Sequence, residues 1–223
     1  MMMNLFDIFD PSVSMMFSLN WFSMILFMLI MPVSFWLIPS LYLYMYIELV
    51  EFMYKEFKDL MSKFNLFNYL FFMVLFLYIL MNNMIGLFPY VFTASSHLSF
   101  SMSLSLPLWL SFMLFGLINN LNYMFMHLLP LGTPKILMPF MVLIESISNL
   151  IRPLTLCVRL SANIIAGHLI ITLISNLGWN LDLFKLMIIY FIQIMLFMLE
   201  LGVSLIQSYV FMVLSSLYSK EVN

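Results

Sequence analysis

Two long apolar stretches of this 223-residue chain hold few side chains able to carry or store a proton. The first offers Glu145, Arg152, Arg159 and His168, and the second Glu200, Gln207 and Glu221, with Asn163 and Ser204 as polar company. Arg159 is the most demanding of them. A guanidinium stays charged at any physiological pH, and placing one at membrane depth costs at least about 3 kcal/mol. If the two stretches form an antiparallel helical hairpin about the turn-like Asn176–Asp182, residues equidistant from that turn meet at one height. Arg159 then faces Gln207, Glu145 faces Glu221, and His168 faces Glu200. Helical rise sets Glu145 about 21 Å from Arg159 and His168 about 13.5 Å beyond it. A fixed cation with one titratable tier on either side suits two offset half-channels for protons. His168 comes nine residues after Arg159, half a turn off the arginine face, which fits a separate entry path better than a continuous wire.

The chemistry lies in a membrane. The chain is 65% hydrophobic and 8% charged with a mean hydropathy of +1.10, outside the range of soluble domains. Its net charge of -2 leaves no basic surface for nucleic acid. Cys157, the single cysteine, excludes an internal disulfide and any cysteine-based metal site, and reads as a small apolar side chain. Met1 to Asp10 carries acids and no targeting pattern, so the chain is expected to be mature or made where it inserts. The 24 methionines, many where Leu or Ile would serve, favour synthesis under a mitochondrial code over simple apolar filling.

Polar punctuation divides the chain into one membrane domain, with an all-α integral membrane fold. A first transmembrane helix is expected over 17–37, interrupted by Pro32. Residues 48–63 hold seven of the eighteen charged side chains, interleaved with Leu49, Phe52, Met53, Phe57 and Leu60, so they read as an amphipathic surface helix. Residues 69–127 form a transmembrane hairpin and 135–219 a long one. Each arm of the latter has about forty residues, about 60 Å of helix, twice the hydrocarbon thickness, so it either tilts or breaks. Pro139 and Pro153 are candidate kinks. Lys55, Lys58, Lys63, Lys135 and Lys220 fall on one side of the five crossings and Lys185 on the other, with the N-terminus opposite the C-terminus. Thr155, Arg159, Ala162 and Ala166 form a stripe, flanked by Ser161 and Gly167, that lets another helix approach closely in lipid.

These residues resemble a known family. Arg159-Leu160-x-Ala162-Asn163-x-x-Ala166-Gly167-His168 follows Glu145-x-Ile147-Ser148-x-x-Ile151-Arg152-Pro153 and precedes Glu200 and Ile206-Gln207-Ser208-Tyr209-Val210. Together with Asn4-Leu5-Phe6, Phe9-Asp10-Pro11 and Gly86-Leu87-Phe88-Pro89-Tyr90, the pattern is similar to the a-subunit family of mitochondrial F-type ATP synthases, in its arthropod form. The resemblance implies a proton-conducting stator in the mitochondrial inner membrane, with the N-terminus in the intermembrane space and the C-terminus in the matrix. Its implied partners are a rotating ring of c subunits bearing a carboxylate, other membrane stator subunits including the peripheral stalk, lipid, and protons as the transported species. Arg159 matches the family's essential arginine. His168, Glu200, Asn163 and Gln207 match the intermembrane-space path, and Glu145 with Glu221 the matrix path. The long hairpin is implied to lie strongly tilted around the ring. No cofactor or metal is implied, and with no nucleotide-binding loop, ATP chemistry belongs to partner subunits.

Other classes fit less well. A haem or quinone subunit needs facing histidines, and His97, His127 and His168 lack that spacing. A secondary transporter would show internal repeats. A structural anchor, or an ion channel or transporter subunit of another respiratory complex, is the remaining alternative, though an anchor needs no arginine and glutamate at membrane depth. Arg152 reads as snorkelling or as a structural pair, and His97 and His127 as interfacial.

Overall fold

The computed structural model describes residues 5–12, 17–60, 66–88, 91–129, 134–178 and 182–222, leaving out the side chains of 59, 60, 66–68, 123, 127, 221 and 222. Lys63, Asn4, Pro89, Tyr90, residues 179–181 of the expected turn, and the His127 and Glu221 side chains therefore lie outside the described residues. Within them every regular element is helical. Short 3-10 turns at Asp7–Phe9 and Leu19–Ile25 lead into α1 (Leu26–Ile30), followed by α2 (Leu41–Leu60) and α3 (Leu66–Gly86). A 3-10 turn at Ala94–Ser96 precedes α4 (Leu98–Asn119) and α5 (Leu121–His127), and α6 (Met138–Leu177) and α7 (Leu183–Val222) complete the chain. Four of these helices, α3, α4, α6 and α7, are long and apolar enough to cross a membrane.

The expected first span, 17–37, is helical only over Leu19–Ile30. Met31 turns extended, with φ -62° and ψ 125°, because the ring of Pro32 clashes with a helical residue before it. This segment still runs along α3. Trp21 packs on His97 at 5.1 Å and Phe27 on Tyr78 at 4.9 Å, and Met31 reaches the cluster around Phe72 and Phe76. Helix α2 begins seven residues earlier than the charge pattern indicated. It seats Met53 and Phe57 against Phe72, Met73 and Phe76 of α3 and Met212 of α7, while Glu48, Glu51, Lys55, Glu56 and Lys58 face out.

The interior prolines do not break the long helices: Pro107 lies inside α4 and Pro153 inside a continuous 40-residue α6. Lipid is as apolar as leucine, so helices in a membrane associate through close packing rather than the hydrophobic effect. Serines supply that packing. Ser204, Ser208, Ser215 and Ser219 lie buried at helical spacing on α7, facing inward, as do Ser101 and Ser105 on α4 and Ser161 on α6. The four α7 hydroxyls donate to carbonyls three residues back at 2.6–2.8 Å, so their polarity is satisfied without cost to the contact. Ser101 Oγ meets Cys157 Sγ at 3.0 Å where α4 crosses α6. Cys157 is wholly buried there as a small packing residue.

Before Ser204 no α7 residue is buried; Leu186, Ile189, Gln193, Leu196 and Glu200 are half-buried at alternating three- and four-residue steps. That is the seam of a two-helix coil, and α7 lies along α6 through it. Enlarging the α4–α6 contact tests the packing account. Ser101→Leu overfills a fully buried site and is expected to cost about 1–3 kcal/mol, read as a lowered thermal midpoint of the solubilised protein, whereas an unchanged midpoint would show room at that crossing.

Candidate functional site: a membrane arginine between two cavities

Helix α6 sorts its residues by face. Pro153, Leu156, Cys157, Leu160, Ser161 and Ile164 are buried, while Thr155, Arg159, Ala162, Asn163 and Ala166 are exposed. The arginine therefore points away from the bundle on a strip of small residues. Among the described residues no carboxylate lies within salt-bridge reach of it; the ion pairs there are Arg152 with Glu145 and Lys185 with Asp182. Its backbone, by contrast, is held: Gln207 Nε2 on α7 donates to the Arg159 carbonyl at 2.8 Å. Gln207 is itself buried, and its Oε1 has no hydrogen-bond partner among the described residues. The helix is clamped while the guanidinium is left outward.

Toward the far end of the hairpin, His168 and Glu200 line one cavity of about 240 Å³ with Asn163, Gly167 and Leu87. Glu200 sits on the seam and its carboxylate rests over Gly167: a Cβ built there would overlap the Oε1 atom and lie 2.8 Å from Cδ. Only glycine leaves that space. Among the described residues, His168 Nε2 and Glu200 Oε2 are buried and have no hydrogen-bond partner. Phe9 of the N-terminal segment covers the imidazole edge-on at 6.5 Å between ring centres.

Toward the other end, Glu145 lines a second cavity of about 220 Å³ with Asn149, Arg152, Tyr218 and Trp109. Glu145 Oε1 lies 3.6 Å from Arg152 Nη2, and both side chains are partly exposed. Arg159 lines neither cavity. The structure thus gathers His168, Glu200 and Asn163 on one side of the arginine and Glu145 on the other, with Gln207 at the arginine's own level. The Glu221 side chain lies outside the described residues.

Sequence reasoning missed three members. Asn149 stands four residues after Glu145 and three before Arg152, a helical spacing that could have placed it. Tyr218 was reachable only through the hairpin register. Phe9 comes from a segment over 150 positions away, and no local signal points to it.

The chain matches the family described as ATP synthase A chain over residues 2–220. It is 54% identical to ATP synthase subunit a of Drosophila melanogaster over 225 residues, covering all of both chains. It is 52% identical to the subunit a proteins of Anopheles quadrimaculatus and Aedes aegypti over 227 residues, again covering all of both.

The glycine seat has its own test. Gly167→Ala is expected to push the Glu200 carboxylate off α6 and raise its modification by a water-soluble carbodiimide, measured by peptide mass spectrometry. Labelling equal to that of the unaltered chain would show that the carboxylate does not depend on Gly167.

Proposed function

The chain belongs to the ATP synthase A chain family as a mitochondrial, arthropod-like F-type subunit a, and from that premise we propose that Arg159 divides two proton half-channels and drives deprotonation of the rotor. Family membership carries the coarser function. This is the proton-channel stator subunit of an F-type ATP synthase, a multi-pass helical membrane protein that assembles with the c-ring and the other subunits.

The observation that carries the finer reading is the outward guanidinium at 159, with no acid paired to it among the described residues, on a strip of small residues and between two polar cavities. A rotor carboxylate crosses lipid only when protonated, since an ionised one carries a large desolvation penalty. Facing Arg159 a few Å away across Ala162 and Ala166, it is favoured as the anion and releases its proton. The same positive charge repels protons and bars a direct leak from cavity to cavity. Each charge moved down the potential yields about 2.3 kcal/mol per 100 mV, which rotation passes to the remote synthesis of ATP.

His168, Glu200 and Asn163, with Gln207 at the boundary, form the intermembrane-space path. Glu145 forms the matrix path, joined by Glu221 on sequence grounds. Orientation draws support from the packing. Phe9 lies at His168, whereas Tyr218, near the C-terminus, lies at Glu145. Helix α2, with Lys55 and Lys58, sits by Met212 and the first turns of α3, on the Glu145 side. The N-terminus is thus in the intermembrane space and the C-terminus in the matrix of the inner membrane, and Leu19–Ile30 with the extended residues after it carries the chain across. The two 40-residue helices, each about 60 Å long, lie strongly tilted around the ring.

Charge alone does not suffice, because the stator needs a planar group that is always ionised. Arg159→Lys is expected to abolish proton-driven ATP synthesis while the complex still assembles, and coupled synthesis at the normal rate in that variant overturns the role. Glu145→Gln and His168→Ala should each slow proton flux in reconstituted vesicles without opening a leak. A variant that leaks protons with rotation blocked would place its residue on the barrier instead.

A further inference from the structure

We propose that Arg152 is a positioning residue for Glu145: stacked on Tyr218 of α7 and paired with the carboxylate, it holds Glu145 in the matrix-side cavity. The inference rests on the half-channel reading of Glu145 and adds to it the groups that aim that side chain.

Glu145 and Arg152 are seven residues apart, two turns or about 10.5 Å of rise. Backbone geometry alone does not join them, since surface neighbours on a helix are three or four apart. They meet at 3.6 Å because both long side chains lean toward each other along one face. What keeps the arginine in that pose is on the other arm of the hairpin. Arg152 Cζ lies over the Tyr218 ring, 5.3 Å from its centre, a cation–π contact between α6 and α7. Glu145, Asn149, Arg152 and Tyr218 all line the same cavity, whose remaining wall includes Trp109, Phe112 and Phe125. Asn149 stands between the acid and the base at the four- and three-residue steps that keep all three on one face.

The arrangement mirrors the other end of the hairpin. There Glu200 of α7 is seated by Gly167 of α6; here Glu145 of α6 is held through a tyrosine of α7. Each cavity carboxylate thus depends on the facing helix for its position. A flat guanidinium both stacks on a ring and bonds a carboxylate, and a lysine does only part of this.

The test is a double-mutant cycle in the assembled complex, in inner-membrane vesicles, reading passive proton conductance and ATP synthesis. Arg152→Gln is expected to lower flux about three- to tenfold, with Arg152→Lys restoring part of it. Tyr218→Leu, which removes the ring, should resemble Arg152→Gln. Because Arg152 acts through Glu145, Arg152→Gln combined with Glu145→Gln should be no slower than Glu145→Gln alone. Losses that multiply in the double variant overturn the proposal, as does normal flux in Arg152→Gln when Glu145→Gln is slow. If Arg152→Gln does not assemble, Tyr218→Leu takes its place in the cycle, and multiplying losses or normal flux overturn the proposal in the same way. Normal flux in Glu145→Gln would instead remove the matrix-path reading itself.

Discussion

A permanent cation at membrane depth, with no acid of its own chain beside it among the described residues, is the constraint around which the rest is arranged. Such a charge costs several kcal/mol in lipid unless something answers it. The chain does not neutralise it but prepares it. Gln207 grips the backbone carbonyl of Arg159, the opposite face of α6 packs on α4 through Cys157 and Leu160, and small side chains clear the approach. An internal carboxylate beside it would relieve that cost.

The two cavities follow from the same geometry. A hairpin of two 40-residue helices has an inner seam, and any polar side chain on it is either satisfied by the partner helix or left for water. Among the described residues, His168 Nε2, Glu200 Oε2 and Gln207 Oε1 are not satisfied by the partner helix. They fall on one side of the arginine's level or at it, whereas Glu145 falls well to the other side. His168 lies half a turn round α6 from Arg159. Serine-lined contacts elsewhere make the bundle firm without adding titratable groups.

Much of this was legible in the sequence. Apolar runs cut by charge located the four long helices, and the spacing of rare polar residues about one turn put Arg159 with Gln207 and His168 with Glu200. The first span was read too long because Pro32 was treated as an interruption within a helix, whereas the helix ends at Ile30 and Met31, before the proline, is extended. Pro153, read as a candidate kink, lies inside a continuous α6 packed on its neighbours. Arg152 was read as snorkelling or as a structural pair, and spacing along α6 alone did not name Glu145 as its partner.

Residue type and period alone determined that the chain is helical, membrane-bound and built around one unavoidable charge, because burial in lipid admits so few other ways to satisfy a backbone or an ion. Direction was decided only in three dimensions. Which face of α6 is open, that Gly167 seats Glu200, that Tyr218 steadies Arg152 and that Phe9 reaches His168 all depend on contacts between segments far apart in the chain. Periodicity along one helix carries no record of the partner it meets.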